Sequence, residues 1–450
     1  MVGRTEELSR LRAAALEAPQ LIVMRGRRRV GKSYLMDHAY AESRFLYFQA
    51  DEGPEEIHLQ LLARECQQLT QAPVAFDDWN AALGYLGRLA AQEPLVVGLD
   101  EVQWMLEAQE TLPSTITRHF DTWERRQIPI TLVISGSALS LMENLLEGDR
   151  PMFGRARYRP IINPFDYREA TEFGSPGASA EEKLRRYAVL GGTAQYQVWA
   201  GTRDLEAVLK ERVLAKDESL FEEPLNLIRG ESEIREPGNY YEILRAIAAG
   251  STQFAEILQR TRSSATASLA RRLSRLADLG YIEHRTTIAG NGTARYEVID
   301  PFFRFWFRYV YPNRSRLQRG RVDEAYEEIN RDLDNFMGPV FEQVCRGWAG
   351  TYASSGQFPA AQEIGAYWTR KHDVEVDVVA KTKRKYEALG SCKWSEHADT
   401  HDLDRLIECR DQIRGAGSAP LYIFARGFHP TLVEQANDGV VHLISADELF

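Results

Sequence analysis

Residues 21–33 read LIVMRGRRRVGKS, an apolar run that turns abruptly into a basic loop with two glycines. The run from Leu21 to Met24 predicts a buried parallel strand. A helix predicted from Tyr34 to about Ala41 would follow the loop and present the positive end of its dipole to it. The loop between them fits the pattern G-x-x-x-x-G-K-[ST] at every fixed position, and its residues are Gly26, Arg27, Arg28, Arg29, Val30, Gly31, Lys32 and Ser33.

This loop has the chemistry of a phosphate-binding site. The glycines allow consecutive backbone N–H groups to converge on phosphate oxygens. The Lys32 ammonium would bridge the β- and γ-phosphates, and the Ser33 hydroxyl would ligate Mg²⁺. The alternative is a glycine-rich turn that follows a core strand by chance. Because strand, loop and helix come in the expected order, the sequence predicts an ATP–Mg²⁺ site that includes Tyr34 at the start of the helix.

A pair of carboxylates supplies the second part of a nucleotide-hydrolysing site. The apolar run 95–99 ends in Asp100 and Glu101. Asp100 would hold the metal through water or through Ser33, and Glu101 would polarise the attacking water. A solvated strand end is the alternative interpretation. The sequence therefore predicts Glu101, Asp100 and Lys32 as the catalytic groups.

Candidates for sensing the γ-phosphate follow a further apolar run, 130–134. Either Ser135 or Ser137 would contact this phosphate, although a simple turn has the same composition. Further on, Arg155 lies in an arginine-rich stretch and would reach a phosphate of the same or a neighbouring subunit as an arginine finger. Surface salt bridges are the alternative. A finger acting between subunits would imply a homo-oligomer.

Composition limits the class of protein. At 450 residues the chain is expected to form about three domains. The net charge of -10 argues against a protein that coats nucleic acid along its whole length, but allows a local basic patch. The four cysteines form no C-x-x-C pair, which argues against disulfides or zinc. No apolar run has the length of a membrane span, and no signal peptide is recognised, so we expect a cytoplasmic protein without a membrane partner.

Helical patterns dominate residues 165–236, which we expect to form a lid over the nucleotide. Residues 237–321 then predict three helices and a β-hairpin with Gly290-Asn291-Gly292 at its tip, the order of a winged helix-turn-helix. The third helix carries three arginines that favour duplex DNA as a partner. The alternative is a winged helix that only packs on the ATPase. The three candidates for DNA binding are Arg271, Arg272 and Arg275.

Several motifs together resemble a known family. The stretches VGRTEEL (2–8), GRRRVGKS (26–33), VVGLDEVQW (96–104), ISGS (134–137), FGR (153–155) and the GG turn (191–192) resemble the AAA+-like ATPases of the STAND-related group in bacteria and archaea. In these proteins a winged helix and a restriction-endonuclease-like tail follow the ATPase. The resemblance implies that Val2, Gly3 and Arg4 lie near the adenine. Ala194 departs from the family, whose turn often reads Gly-Gly-x-Pro.

Residues 322–450 read as a separate α/β domain that looks like the PD-(D/E)xK nuclease fold. The resemblance assigns Asp377 and Lys393 to the signature, and Glu342 to the carboxylate of the first helix. Ser391 stands where a metal-binding Glu is expected, and a neutral hydroxyl is a weak substitute for a carboxylate. We therefore expect this domain to bind or scaffold rather than to cleave.

The sequence thus predicts an α/β protein built from four parts. These are a P-loop NTPase domain with a parallel sheet (1–164), a helical lid (165–236), a winged helix-turn-helix (237–321) and a restriction-endonuclease-like domain (322–450). The expected function is ATP hydrolysis coupled to rearrangement of the winged helix and the tail. Two alternatives are an ATP-dependent switch or adaptor with negligible turnover, acting on an unknown protein partner, and an ATP-gated, Mg-dependent DNA nuclease.

Overall fold

The structure is a computed structural model that describes residues 2–148, 150–231, 234–261, 265–354, 356–371, 373–383, 385–436 and 440–450. The chain folds into two compact units. The first unit comprises Met1–Phe165 and Thr193–Gln195. The second comprises Asp166–Gly192 and Tyr196–Phe450.

A parallel four-stranded sheet forms the centre of the first unit. Its strands follow the spatial order β1-β4-β3-β2. Residues 158–162 extend the sheet beside β1, where Ile162 N donates to Arg25 O at 2.7 Å. The four strands are β1 (Gln20–Arg25), β2 (Phe45–Gln49), β3 (Leu95–Asp100) and β4 (Ile130–Gly136). The expected parallel α/β sheet is therefore confirmed.

Helices cover both faces of this sheet, which explains why its strands read as continuous apolar runs. Val97 and Leu99 of β3 pack into one core, whereas Val96 packs into the core on the opposite face. Because parallel strands end at one edge, the turns after β1, β3 and β4 lie together there. The helices are α1 (Thr5–Leu16), α2 (Lys32–Ala39), α3 (Glu55–Thr70), α4 (Trp79–Gln92), α5 (Val102–Ala108), α6 (Leu112–Arg126) and α7 (Leu139–Asn144).

The second unit begins with short helices. The side chain of Ser179 caps α9 in a reciprocal pair with Glu182, which satisfies backbone donors at the start of that helix. A π-helical turn, Leu209–Val213, follows the fourth of these helices. They are α8 (Tyr167–Thr171), α9 (Ala180–Leu190), α10 (Ala194–Ala200), α11 (Leu205–Val208) and α12 (Ser219–Arg229).

Three helices and an antiparallel hairpin come next, at the positions predicted for them. They are α13 (Pro237–Ala248), α14 (Phe254–Arg260), α15 (Thr266–Asp278), β5 (Ile282–Arg285) and β6 (Arg295–Val298). The aromatic stretch after the hairpin is buried, and Trp306 Nε1 donates to Phe221 O at 3.1 Å. This stretch forms α16 (Pro301–Phe305), a π-helical turn (Trp306–Val310) and α17 (Tyr311–Gln318).

One long helix, α18 (Val322–Gly347), includes the acidic residues 323–334, whose charge alone would suggest a connector between domains. The acidic residues 323–334 hide a helical stripe of buried side chains. Pro339 lies inside the helix without ending it. The stripe comprises Ala325, Tyr326, Ile329, Leu333 and Phe336. A π-helical turn, Trp348–Tyr352, continues the helix.

The C-terminal residues form a five-stranded mixed sheet in the order β11-β10-β9-β8-β7. Strands β7, β8 and β9 are antiparallel neighbours, and β9, β10 and β11 are parallel. The α/β character agrees with the sequence, although β11 was not predicted. The elements are β7 (Glu363–Trp368), β8 (Glu375–Lys381), β9 (Tyr386–Lys393), α19 (Thr400–Gln412), β10 (Leu421–Ala425), α20 (Pro430–Ala436), β11 (Val441–Ser445) and a 3₁₀ turn, Asp447–Leu449.

Candidate active site

The loop after β1 has the backbone that its glycines require. Gly31 has a φ of 94°, a conformation that glycine adopts without strain. A Cβ atom at Gly26 would lie 2.5 Å from Ile162 O, so a side chain is excluded there. Val30 is buried in the core with Leu35 and anchors the loop to α2. The loop therefore meets the start of α2 in the arrangement that was predicted for a phosphate cradle.

Lys32 is the first residue of α2, and its side chain is buried. Its Nζ donates to Gly26 O at 2.8 Å and to Arg27 O at 3.1 Å. Burial lowers the pKa of this ammonium, whereas the carboxylates of Glu101 and Asp100 act in the opposite direction. The ammonium thus spans the mouth of the loop beside the two acidic residues, where a phosphate oxygen would replace weak carbonyl acceptors.

Asp100 is the last residue of β3, and one of its oxygens collects two hydroxyl donors. Ser33 Oγ donates to Asp100 Oδ2 at 2.6 Å, and Tyr47 Oη donates to the same atom at 2.8 Å. Burial and the Asp100 charge both raise the pKa of Tyr47. Ser33 and Asp100 are thereby brought together as the sequence predicted, and they fit Mg²⁺, which takes one or two protein oxygens plus substrate phosphates.

Glu101 begins the turn into α5 with a φ of 52°. Its Oε2 accepts a hydrogen bond from Ser137 Oγ at 2.8 Å and another from Gln103 Nε2. Gln103 Nε2 also lies 3.1 Å from Ser137 Oγ. Ser135 is fully buried, and within the described ranges its Oγ has no hydrogen-bond partner. Of the two serine candidates, Ser137 is therefore the one that contacts the carboxylate of Glu101.

The N-terminal segment contacts the phosphate loop through Arg4. This side chain is buried and donates to Val30 O at 3.4 Å and to Asn163 O. Its guanidinium also stacks over the Phe165 ring at 4.3 Å. Val2 and Gly3, which precede it, are partly exposed. Arg4 thus joins the N-terminal segment to the phosphate loop. It is one of the three residues that the resemblance places near the adenine.

Other loop residues face outward or meet a later part of the chain. Arg27 and Arg28 are partly exposed, and Arg29 is exposed. Gln195 N donates to Arg29 O at 3.3 Å, so the segment after the GG turn lies against the loop. Tyr34 is 55% exposed, and its ring contacts His38 with 3.9 Å between centroids, on the outer side of α2.

Arg155 has a carboxylate partner in the first unit. Its Nε and Nη2 donate to Asp121 Oδ1 and Oδ2 at 2.7 and 2.9 Å. These hydrogen bonds lower the pKa of Asp121. The structure thus pairs Arg155 with α6, the salt-bridge alternative that the sequence left open. Its role as an arginine finger stays a prediction.

The second unit brings together the three residues that the resemblance assigns to a nuclease signature, and a guanidinium lies among them. These residues are Glu342, Asp377 and Lys393. Arg346 Nη1 donates to Asp377 O at 2.9 Å and to Glu342 Oε2 at 3.4 Å. Burial, with Asp377 nearby, raises the pKa of Glu342 to about 7. Lys393 forms an ion pair with Asp402 at 3.6 Å.

A divalent metal does not fit these residues. Ser391 Oγ lies 3.4 Å from Asp377 Oδ2 and is the neutral group that the sequence indicated. Among the residues described, no group of three or more His, Cys, Asp or Glu side chains is arranged to hold a metal ion. The acidic pair therefore lacks the third carboxylate that a metal-dependent nuclease would use.

The three arginines of α15 differ in their surroundings. Arg271 is exposed, whereas Arg275 is partly buried. Arg272 forms an ion pair with Glu236 at 3.4 Å. The structure therefore leaves Arg271 as the most exposed of the candidate DNA contacts.

The hairpin after α15 packs against β7 of the C-terminal sheet. Ile288 N donates to Ala366 O at 2.9 Å, and Trp368 Nε1 donates to Thr293 O at 2.8 Å. Arg295 forms an ion pair with Glu375 at 2.6 Å. The hairpin is thus held by backbone, indole and charged contacts within the second unit.

Sequence reasoning missed two groups at the nucleotide site. Tyr47 lies in a short strand outside any motif, and only its position on β2 next to the strand with the acidic pair could have indicated it. Gln103 follows the acidic pair by two residues at the start of α5, where a polar side chain between two apolar neighbours was the available signal.

Two segments of the chain match known protein families. Residues 18–171 match an AAA domain family, and residues 306–403 match a family of archaeal and bacterial proteins of unknown function. An uncharacterized protein of Methanocaldococcus jannaschii is 28% identical over 413 residues, which cover 88% of each chain.

The chain is similar in fold to a solved ATPase structure. The Walker-type ATPase of Pyrococcus abyssi has a TM-score of 0.52 at 20% identity, covering 68% of this chain and 96% of that one. The ORC2 protein of Aeropyrum pernix, in its ADPNP–ADP complexes, has a TM-score of 0.47 at 15% identity, covering 73% and 95%.

The described part of the chain contains no helix long and apolar enough to cross a membrane.

The parallel sheet, the phosphate loop and the acidic strand end all lie within the segment that matches the AAA family. Residues 18–171 therefore match an AAA domain family and have the parallel α/β fold of a P-loop ATPase.

Proposed function

We propose that the chain binds ATP with Mg²⁺ and hydrolyses it at the edge of the parallel sheet. The observation that carries this proposal is the 2.6 Å contact between Ser33 Oγ and Asp100 Oδ2. It joins the end of the phosphate loop to the end of β3, two elements that are remote in sequence. A magnesium ion held at this contact would be opposite the triphosphate in the loop.

The residues divide the chemistry between binding and proton transfer. Backbone amides of the loop and Lys32 would hold the β- and γ-phosphates. Ser33 and Asp100 would hold Mg²⁺, which neutralises charge on the phosphate oxygens when bound. Glu101 would accept a proton from the attacking water while the bond between the γ-phosphorus and the bridging oxygen breaks, with ADP as the leaving group.

Two donors on Glu101 support a regulated form of this activity. The carboxylate that would activate water accepts hydrogen bonds from Ser137 and Gln103 at one oxygen, Oε2, so a water molecule at that oxygen would compete with both. A switch with negligible turnover is therefore the second candidate. In that case ATP would hold one arrangement of the chain and be released only slowly.

A steady-state assay of phosphate release distinguishes these candidates. We expect turnover above background in the full-length protein with ATP and Mg²⁺, and its loss in Lys32→Ala. Stoichiometric retention of intact ATP over many minutes would support the switch. Failure to bind either ATP or ADP would rule out both.

The remaining parts of the chain are proposed to respond to the nucleotide. Gln195 N contacts Arg29 O in the phosphate loop, and this supports residues 193–195 as a route for coupling. We propose that residues 237–321 form a winged helix-turn-helix and 322–450 a restriction-endonuclease-like fold without cleavage activity. The exposed Arg271 supports duplex DNA as a ligand of α15. DNA-stimulated phosphate release would link these parts to the ATPase.

A further inference from the structure

We propose that Arg346 is the permanent cation of the C-terminal α/β domain and takes the place of a metal ion between Glu342 and Asp377. The chain would thereby have a fixed, metal-free charge cluster where a nuclease-like fold suggests a divalent cation. This inference does not depend on ATP binding at the other site. It assigns a defined task to an arginine that no sequence motif singled out.

The first observation is the position of the guanidinium. Arg346 lies one helical turn after Glu342 on α18, so both side chains share one face of that helix. Its Nη1 contacts Glu342 Oε2 at 3.4 Å and Asp377 O at 2.9 Å. The Arg346 side chain is only 12% exposed. A buried guanidinium remains charged, so Arg346 is a lasting counter-ion for the Glu342 carboxylate, whereas it contacts Asp377 at the backbone carbonyl and acts on that side chain only through its charge.

Asp377 directs one oxygen at protein donors. Cys392 N donates to Asp377 Oδ2 at 2.8 Å, and Ser391 Oγ lies 3.4 Å from the same atom. A neutral hydroxyl supplies no negative charge to a divalent cation, unlike the carboxylate that the sequence comparison expects at this position. Ser391 therefore stabilises the Asp377 charge by hydrogen bonding and does not complete a metal site.

Two further arginines lie near the hairpin, and one of them, Arg304, interacts with Glu342. Arg285 forms an ion pair with Glu297 at 2.7 Å, and Arg304 lies 3.9 Å from the same carboxylate. Arg304 is buried and donates to Val298 O at 3.0 Å. Glu342 and Arg346 both interact electrostatically with Glu297. A divalent cation entering beside Glu342 would meet the guanidinium groups of Arg346 and Arg304, which both interact with this carboxylate, and each of them opposes its binding.

The proposal makes a specific prediction for removal of the guanidinium. Arg346→Met keeps an unbranched side chain of similar length but removes the guanidinium that contacts Glu342 and lies beside Asp377. Two uncompensated carboxylates close together attract a divalent cation, because an unpaired buried charge is costly. We therefore expect Arg346→Met to gain a metal site that the natural chain lacks.

Manganese binding to the full chain, measured by electron paramagnetic resonance without nucleotide, tests this. Four proteins are compared: the natural chain, Asp377→Asn, Arg346→Met and the double variant. Asp377→Asn keeps an acceptor for Cys392 N, so it changes the charge while preserving the local hydrogen bond. We expect the natural chain and Asp377→Asn to bind equal amounts of Mn²⁺. Arg346→Met should bind about one additional ion per chain, which the double variant loses.

Two results would overturn the proposal. The first is a Mn²⁺ ion bound by the natural chain and lost in Asp377→Asn, because it would mean that the metal site exists beside Arg346. The second is a folded Arg346→Met protein, as judged by circular dichroism, that gains no ion. Should Arg346→Met fail to fold, Arg346→Gln, which also removes the charge but keeps a polar side chain, replaces it in the comparison.

Discussion

Ser33 Oγ lies 2.6 Å from Asp100 Oδ2, which joins the phosphate loop directly to the acidic end of β3. The two residues come from different elements, so the contact depends on the correct pairing of β1, β4 and β3. The fold therefore brings together the two side chains that are proposed to hold Mg²⁺.

Tyr47→Phe is expected to raise the Mg²⁺ concentration needed for half-maximal phosphate release by about fivefold. The variant removes one hydroxyl that donates to Asp100 at 2.8 Å, and such a bond to a charged group is worth about 1 kcal/mol or more. The maximal rate at saturating Mg²⁺ should change less. Tyr40→Phe is the matched control, because Tyr40 Oη contacts Leu11 O instead. An unchanged Mg²⁺ requirement would show that Tyr47 does not position Asp100.

Glu101→Gln is expected to keep ATP bound while phosphate release falls by about 100-fold or more, since an amide cannot accept the proton of the attacking water. Binding is measured by equilibrium dialysis and turnover by phosphate release. Glu107→Gln, which alters an exposed carboxylate on α5, serves as the control. Hydrolysis at the natural rate in Glu101→Gln would disprove the assignment of the base.

Arg155→Ala and Asp121→Ala are expected to lower the free energy of unfolding by similar, small amounts of about 1 kcal/mol or less. The two side chains form one ion pair and are 38% and 41% exposed, so solvent weakens their attraction. Chemical denaturation measures this effect. Phosphate release should stay near the natural rate in both variants. A loss of turnover by about 1000-fold in Arg155→Ala alone would instead identify an arginine finger.

Arg271→Glu is expected to weaken retention of duplex DNA at low salt, because it replaces an exposed cation on α15 with an anion. Fluorescence anisotropy at two salt concentrations measures the change. Arg405→Glu, on the exposed face of α19, makes the same charge change away from α15. Equal weakening by both variants would indicate attraction to overall charge. No retention of duplex by the natural chain would remove DNA as a partner.

The sequence predicted those parts of the site that a backbone pattern determines. An apolar run followed by Gly26 to Ser33 predicts strand, loop and helix together, and Asp100 follows directly from the end of the apolar run 95–99. Tyr47 could not be found this way, because its contact depends on how β2 pairs with β3.

The long helix α18 was obscured for a different reason. Its exposed face is acidic enough to suggest a connector, whereas the buried stripe that stabilises it becomes evident only at a helical period. Arg346 was missed with it, because a side chain that substitutes for a metal ion belongs to no metal-binding pattern. Its partner Asp377 lies on a strand of the C-terminal sheet.

Equilibrium binding of ATP in the presence of Mg²⁺, compared between the natural chain and Lys32→Ala, tests the central claim most directly. We expect the natural chain to bind one ATP and Lys32→Ala to bind at least about tenfold more weakly, because a buried ammonium beside the phosphates is lost. Lys216→Ala, which removes an exposed lysine elsewhere, should bind as the natural chain does. Equal affinity of Lys32→Ala and the natural chain, or no uptake of ATP by either, would contradict the account.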